Sequence, residues 1–205
     1  IRLMPLYSLF PQPVYFSNIK RALTKAETNV INQCKKKTFQ NVGNLFSDEN
    51  YILENPILKN INKELYKIVL DYFNKIVCTS NSITPHFTQS WLNYTKSDEY
   101  HHRHSHNNSY VSGVFFIDAN KDMDSIKFYK TDPAGITLQV GTYNTYNATS
   151  WWYPVETGDV VLFPSSLSHG VDRKKGKNTR TSLAFNVFFT GTIGDKKGLT
   201  ELIFK

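Results

Sequence analysis

The sequence HSHNNSYVSGVFF (residues 104–116) places two histidines directly before a pattern of alternating strand residues. Side chains two positions apart on a strand point to the same face of the sheet. His104 and His106 can therefore bind one metal ion if this segment is extended, and His102 can join them in register. His169, which follows a second strong strand pattern, can complete the set from a neighbouring strand. Imidazole binds Fe(II), Zn(II), Cu(II) and Ni(II), so the cluster predicts a transition-metal site without identifying the ion.

A cation lies at the start of the next predicted strand. Arg180 opens the segment 181–186, and it comes 11 residues after His169. A guanidinium group can hold a carboxylate through two parallel hydrogen bonds while the other end of the same molecule binds a metal. The spacing favours this function over the alternative, an exposed arginine at the tip of a hairpin.

Strand patterns dominate the chain after residue 80, where the apolar period changes from about 3.6 to about 2. Polar turns, several with Gly or Pro, separate these segments. Helices first and many short strands afterwards predict an α+β fold that is mainly β, a sandwich or barrel braced by helices. The predicted strands are residues 87–95, 110–117, 125–130, 136–146, 151–155, 159–163 and 181–189.

The N-terminal part has a different character. Residues 6–15 contain two prolines and predict an edge strand or an extended arm. Residues 22–38 predict a helix, and residues 41–54, which are polar, predict a loop. A second helix starts after Asn55 and Pro56, since asparagine caps helices and proline fits their first turn. Its apolar stripe comprises Ile57, Ile61, Leu65, Ile68, Tyr72 and Ile76.

Length and composition exclude several classes of protein. The 205 residues are 40% hydrophobic and 14% aromatic, which excludes a disordered chain. No apolar run approaches the roughly 20 residues that span a bilayer, so no membrane partner is expected. Two cysteines, Cys34 and Cys78, are too few for a disulfide framework. With no segment resembling a secretory signal, they predict a reducing compartment such as the cytoplasm.

The net charge of +7 gives the chain an affinity for anions. Two basic clusters contribute to it, residues 35–37 and residues 173–177. Each is also compatible with a solvated helix end or a solvated hairpin tip.

Together the motifs resemble those of 2-oxoglutarate/Fe(II) oxygenases. Residues 104–116 resemble the first iron-binding segment, and GDVVLFPSSLSH (158–169) followed by RTSLAFN (180–186) resembles the second. The similarity is to a group of 2OG-Fe(II) oxygenases from bacteria and marine phages that is related to prolyl hydroxylases. The opening LFPQPVY (9–15) also matches, and only residues 134–150 match less well.

The resemblance implies a double-stranded β-helix, a jelly-roll or cupin-like barrel with iron at one end. One domain would cover residues 1–205, with helical support over about 17–78 and the barrel over about 85–190. His104 would be the first iron ligand and His169 the last. Arg180 would pair with the distal carboxylate of 2-oxoglutarate, and Ser182, on the same side, would hydrogen-bond to it.

Tyr94 stands where related proteins often have a tyrosine that reaches the cosubstrate. Asn93 points the opposite way on a regular strand, so only one of the two can face the metal. Trp91, Trp151, Trp152 and Phe188 are candidates for the mouth of the substrate site.

The chain departs from the family pattern at two positions. Most members have an aspartate or glutamate two residues after the first histidine, whereas this chain has His106. Three imidazoles can bind the iron; alternatively Asp124 or Asp118 replaces His106, or an anion or water fills the position. Phe116 stands where some hydroxylases have a tyrosine, which would leave its function to Tyr94 or Ser182.

The activity implied is hydroxylation of an unactivated C–H bond by O2, with 2-oxoglutarate converted to succinate and CO2. Fe(II) is the implied cofactor, 2-oxoglutarate the cosubstrate and ascorbate a candidate reductant. The prime substrate would be a peptide or protein residue or a small molecule, with nucleic acid less favoured, and the oligomeric state is left open.

Two other functions are compatible with parts of the sequence. A cupin-like three-histidine metalloenzyme would not use 2-oxoglutarate and would not need Arg180 as a carboxylate clamp. A basic β-sandwich that binds nucleic acid would leave His104, His106 and His169 unexplained, and aromatic residues are not interleaved with the basic ones as a stacking surface requires.

Overall fold

The computed structural model describes residues 6–130, 135–136 and 138–205. It is mostly β, with two α-helices, α1 (Lys25–Cys34) and α2 (Lys59–Tyr72). The strands are β1 (Tyr15–Asn18), β2 (Thr38–Gln40), β3 (Leu45–Ser47), β4 (Ser82–Thr95), β5 (His101–His104), β6 (Val111–Asp118), β7 (Ser125–Tyr129), β8 (Ser150–Pro154), β9 (Asp159–Pro164), β10 (His169–Val171), β11 (Arg180–Ile193) and β12 (Leu202–Phe204).

Both helices begin where the sequence supplies capping groups. Thr24 and Glu27 form a capping box at the start of α1, and each satisfies a backbone N–H at the other residue. Asn55 accepts a hydrogen bond from the N–H of Ile57 and so caps a 3-10 turn, Pro56–Leu58, that leads into α2. A π-helical turn, Phe73–Val77, follows α2. No described helix is long and apolar enough to cross a membrane.

Two antiparallel sheets make up the β part. The larger has the order β1-β9-β6-β11-β4-β3-β2, with β12 paired to β11, and the smaller has the order β5-β10-β7-β8. Every strand pairing in both sheets is antiparallel. β1 is an edge strand that begins at Tyr15, where the predicted edge strand or arm of residues 6–15 ends.

The larger sheet is buried on both faces because its strands alternate between two cores. One face packs under the helices, and Leu92, Phe115 and Leu183 belong to that core. The opposite face packs against the smaller sheet, where Phe163 of β9 and Phe128 of β7 lie 5.1 Å apart between ring centres. Successive residues of one strand therefore serve different layers.

Three predictions from the sequence are corrected. Residues 136–146 form no strand in their described part, because Asn144 accepts hydrogen bonds from the N–H groups of Tyr146 and Asn147 and makes a turn. The predicted loop 41–54 contains strand β3, whose Ser47 accepts a hydrogen bond from the N–H of Leu92. In the second helix, Ile57 and Ile76 are exposed, and Leu58 and Val69 are buried instead.

Candidate active site

Three histidines converge at one end of the space between the two sheets. β5 and β10 are paired so that His104 stands opposite His169. His106 follows β5, and its N–H donates to the carbonyl oxygen of Ser165. One ring nitrogen from each of the three histidines lies within 4.8 Å of the others. The structure thus brings together the three residues that the sequence predicts as metal ligands.

The hydrogen bonds of these histidines define which nitrogen is available to a metal. His104 Nδ1 lies 2.8 Å from the carbonyl oxygen of His102, and His169 Nδ1 lies 3.0 Å from that of Leu167. A carbonyl oxygen can only accept, so each Nδ1 carries the proton and each Nε2 carries a free lone pair. Donation of one ring N–H to an oxygen is the usual way in which proteins orient metal-binding histidines.

His106 is oriented through a polar network. Its Nδ1 lies 2.6 Å from the side-chain oxygen Oδ1 of Asn186 and 2.9 Å from the hydroxyl of Ser112. That hydroxyl also lies 2.8 Å from the hydroxyl of Ser165. Donation to the Asn186 oxygen leaves Nε2 of His106 as the free nitrogen, in agreement with the other two histidines.

The Nε2 atoms of His104 and His106 are 3.1 Å apart. With both Nδ1 atoms protonated, two lone pairs face each other, an arrangement that a shared cation would stabilise. Two nitrogens that each bind one ion at about 2.1 Å and at right angles lie about 3.0 Å apart. The observed separation therefore fits a first-row metal ion.

Burial keeps these imidazoles neutral. It lowers the pKa of His104 to about 4 and that of His169 to about 3, with smaller contributions from neighbouring histidines. It also lowers the pKa of His106. Neutral imidazole is the form that binds metals, so the site is ready for an ion at physiological pH.

The aspartates considered as replacements for His106 are engaged elsewhere. Asp124 accepts from the N–H of Asn120 and lies 3.4 Å from the ammonium group of Lys174. Asp118 lies within hydrogen-bond distance of the Asn178 side chain. Neither belongs to the group that could hold an ion, whereas His106 does.

Arg180 lies in the same cavity as the three histidines. Its residue is 3% exposed, and its side chain makes a 3.2 Å hydrogen bond from Nη2 to the hydroxyl of Thr95. Its Nε is buried and has no partner among the described residues. Burial lowers the pKa of Arg180 to about 10, so the guanidinium stays charged at neutral pH. A buried cation with an unsatisfied donor is a binding site for an anion.

The surroundings of Arg180 leave that positive charge uncompensated. Asp124 is the acidic group that raises the pKa of Arg180, against the effect of burial. The same carboxylate is paired with Lys174, and both side chains are at most 1% exposed. Two buried cations therefore share one carboxylate, which favours the binding of one more negative charge beside Arg180.

Ser182 also faces the cavity, as the sequence predicts, but Tyr94 does not. Tyr94 lies on the opposite face of β4, in the core under the helices, where its hydroxyl donates to the carbonyl oxygen of Ile31. Strand alternation places Asn93 in the cavity instead. The prediction that Tyr94 reaches the cavity is therefore wrong, and Asn93 lines it in its place. Phe116 lines the cavity without a polar group.

The cavity is small and continues into a groove. Its volume is about 30 Å³, which is room for about two water molecules. The adjoining groove has a volume of about 360 Å³ and contains Trp91, whose ring centre is 5.6 Å from that of His106. Of the other aromatic candidates for the mouth, Phe188 packs on Phe189 and Phe204 instead, and Trp152 is 60% exposed on β8.

Sequence reasoning missed His101. Its ring stacks on His104 with centres 4.6 Å apart, and it lines both the cavity and the groove. The pairing of β5 with β10 is irregular between His169 and Val171, so strict alternation does not hold there. The run of four histidines within six positions was the available signal.

Comparisons with known proteins agree with this geometry. Residues 89–186 match the family model described as "Putative 2OG-Fe(II) oxygenase". That range contains the three histidines, Arg180 and Ser182. A search of curated proteins gave no match.

Solved structures of low sequence identity share the fold. HygX from Streptomyces hygroscopicus, crystallised with nickel, 2-oxoglutarate and hygromycin B, is 14% identical, with a TM-score of 0.56 over 84% of this chain and 82% of that chain. The 2-oxoglutarate-dependent carbocyclase SnoK from nogalamycin biosynthesis is 12% identical, with a TM-score of 0.58 over 92% and 85%. A viral collagen prolyl hydroxylase from Paramecium Bursaria Chlorella virus-1 is 11% identical, with a TM-score of 0.51 over 84% and 94%. Residues 89–186 of the chain therefore match the model of a 2OG-Fe(II) oxygenase family, and the described fold is that of solved 2-oxoglutarate-dependent enzymes.

Proposed function

We propose that the protein is a dioxygenase that uses Fe(II) and 2-oxoglutarate, with His104, His106 and His169 as the iron ligands. The observation that carries the proposal is the convergence of three Nε2 lone pairs in the cavity that holds the buried, unsatisfied guanidinium of Arg180. A metal-binding set beside a carboxylate clamp fits a cosubstrate that binds the metal at one end and a cation at the other.

Fe(II) and 2-oxoglutarate, when bound, would supply the chemistry to hydroxylate an unactivated C–H bond, with O2 as the oxidant: one oxygen atom would enter the product and the other would enter succinate as 2-oxoglutarate loses CO2. The residues of the chain would bind the metal ion and orient the cosubstrate. Arg180 would hold the distal carboxylate, and Ser182 and Asn93 would donate hydrogen bonds to the cosubstrate. The paired Asp124 and Lys174 fix the charge balance around Arg180.

We further propose that the two facing sheets are a double-stranded β-helix and that residues 1–205 act as one oxygenase domain. In support, the two sheets share one apolar core, and the helices brace the outer face of the larger sheet. A cytoplasmic location is part of the proposal and rests on Cys34 and Cys78, which are free thiols.

The groove favours a peptide or protein segment without charge as the prime substrate. Carboxamides of Asn41, Asn50, Gln89, Asn107 and Asn186 line it, and such groups can pair with backbone amides. No Asp, Glu, Lys or Arg is among the described lining residues, and the basic residues 173–177 lie outside it. The structural similarity to a viral collagen prolyl hydroxylase supports the same substrate class.

Anaerobic titration of the Fe(II)-loaded protein with 2-oxoglutarate tests the proposal. Chelation of the iron by 2-oxoglutarate should produce a visible charge-transfer band. Arg180→Ala should raise the 2-oxoglutarate concentration needed for half-saturation by about tenfold or more, since a charge-assisted hydrogen bond contributes about 1.5–3 kcal/mol.

Arg173→Ala is the matched control, because Arg173 is exposed and lies outside the cavity. Its titration should equal that of the wild type. Tight iron binding without a band in the wild type would contradict the proposal and favour a three-histidine metalloenzyme that does not use 2-oxoglutarate. Succinate formation by the wild type and both variants, measured with ascorbate as reductant, provides a second readout.

A further inference from the structure

The groove side of the site holds more histidines than one metal ion requires. His101, His102 and His104 form a second group in which one ring nitrogen of each lies within 4.8 Å of the others. The ring centres of His101 and His102 are 5.3 Å apart, and those of His102 and His104 are 4.9 Å apart. We call this second set the outer group and His104, His106 and His169 the inner group.

The two groups differ in their access to solvent. All three histidines of the outer group line the groove, as does His106 of the inner group, whereas His169 lines only the cavity. His169 is 5% exposed. The complete outer group is therefore accessible from the groove, whereas the inner group is complete only at His169, inside the cavity.

His102 carries an unexplained polar atom. Its Nδ1 is buried and has no hydrogen-bond partner among the described residues, and a buried ring nitrogen without a partner is costly. His101 has a weak partner, since its Nε2 lies 3.3 Å from the side-chain nitrogen of Asn41. An ion at the outer group would satisfy the first of these nitrogens and replace the weak bond of the second.

We propose that the outer group is a second binding site for a divalent transition metal and that it shares His104 with the inner group. Three imidazoles with no carboxylate suit Zn(II), Cu(II) or Ni(II) better than Mg(II) or Ca(II), which prefer oxygen ligands. His104 has one nitrogen, Nε2, that is free of the backbone. The two sites are therefore alternatives for a single ion, and excess metal at the outer site takes His104 away from the inner one.

β5 can adapt to either position of the ion. It is the edge strand of the smaller sheet and is paired on one side only, with β10. An edge strand can shift without breaking a second ladder of hydrogen bonds. The nitrogens of the outer group lie within 4.8 Å of one another and would approach to about 3.4 Å around a tetrahedral ion.

Calorimetric titration with Zn(II) tests the outer site separately from the inner one. The variant His106→Ala/His169→Ala lacks two inner ligands and keeps the outer group, and it should still bind one equivalent of Zn(II). Adding His102→Ala should weaken this binding by about tenfold or more, because the loss of a residue that only orients a metal ligand already lowers metal affinity by about 10–100-fold. Adding His86→Ala instead is the matched control and should change nothing, since His86 lies in a different cavity.

The proposal would be overturned if the double variant His106→Ala/His169→Ala bound Zn(II) no more tightly than the triple variant that also carries His102→Ala. Far-UV circular dichroism and thermal melting check that each variant is folded. If the alanine variants do not fold, His106→Gln/His169→Gln fills the inner space and is titrated in the same way, with the same two outcomes. The outer site does not depend on 2-oxoglutarate, so its failure leaves the charge-transfer test of the proposed function unaffected.

Discussion

The two faces of the larger sheet carry different chemistry although their residues alternate along the same strands. On the face under the helices, Leu92 and Leu183 are fully buried in an apolar core. One position away, Asn93 and Ser182 point into the cavity with the histidines. Adjacent residues of one strand therefore have different roles, since one stabilises the fold and the next lines the cavity. The comparison predicts that a substitution on the helix-facing side lowers the unfolding free energy, whereas a substitution of its neighbour on the cavity side lowers ligand affinity.

The largest effect is expected at the metal itself. His169→Ala removes the innermost of the three ligands and should lower Fe(II) affinity by roughly 100-fold or more, with loss of turnover. Equilibrium dialysis against Fe(II) under anaerobic conditions measures it. His86→Ala, a histidine on β4 outside the cavity, should bind iron like the wild type. Full activity of His169→Ala would refute the assignment of the cavity face to metal binding.

The next effect concerns the helix-facing side. Leu183→Ala leaves a hole in a core where the side chain is fully buried, and should cost about 2–5 kcal/mol of unfolding free energy. Chemical denaturation measures this loss. The titration with 2-oxoglutarate should be unchanged in the folded variant, because Leu183 has no contact with the cavity. A weaker affinity for 2-oxoglutarate would show that the two faces are coupled.

The smallest effects come from two adjacent residues of β4. Asn93→Ala should weaken 2-oxoglutarate binding by a few-fold, since one hydrogen bond contributes about 1 kcal/mol. Tyr94→Phe should lower the unfolding free energy by about 0.5–1.5 kcal/mol through loss of the bond to Ile31, with unchanged 2-oxoglutarate binding. Weaker 2-oxoglutarate binding by Tyr94→Phe, with unchanged binding by Asn93→Ala, would instead show that Tyr94 contacts the cosubstrate.

Much of the site could be predicted because period-two alternation and histidine spacing are local signals. They identified His104, His106 and His169, and the structure places these residues together. The error at Tyr94 has a definite cause. Alternation shows that Asn93 and Tyr94 face opposite ways, but which of the two faces the helices cover depends on tertiary packing.

The missed elements have similar causes. β3 was predicted as loop because its neighbourhood is polar, yet Asn44 and Ser47 are buried and hydrogen-bonded. The segment 136–146 was predicted as strand from its apolar residues, but Leu138 and Tyr143 are exposed and no described strand pairs with them. A partner remote in sequence decided the first case, and a local turn at Asn144 decided the second.

The central claim is that three imidazoles and one guanidinium bind iron and 2-oxoglutarate on the cavity face. A crystal structure of the protein grown anaerobically with Fe(II) and 2-oxoglutarate, with anomalous data at the iron edge, tests it most directly. The account predicts iron bound by Nε2 of His104, His106 and His169, and the distal carboxylate of 2-oxoglutarate against Arg180. Iron bound by Asp118 or Asp124, or 2-oxoglutarate bound away from Arg180, would contradict it.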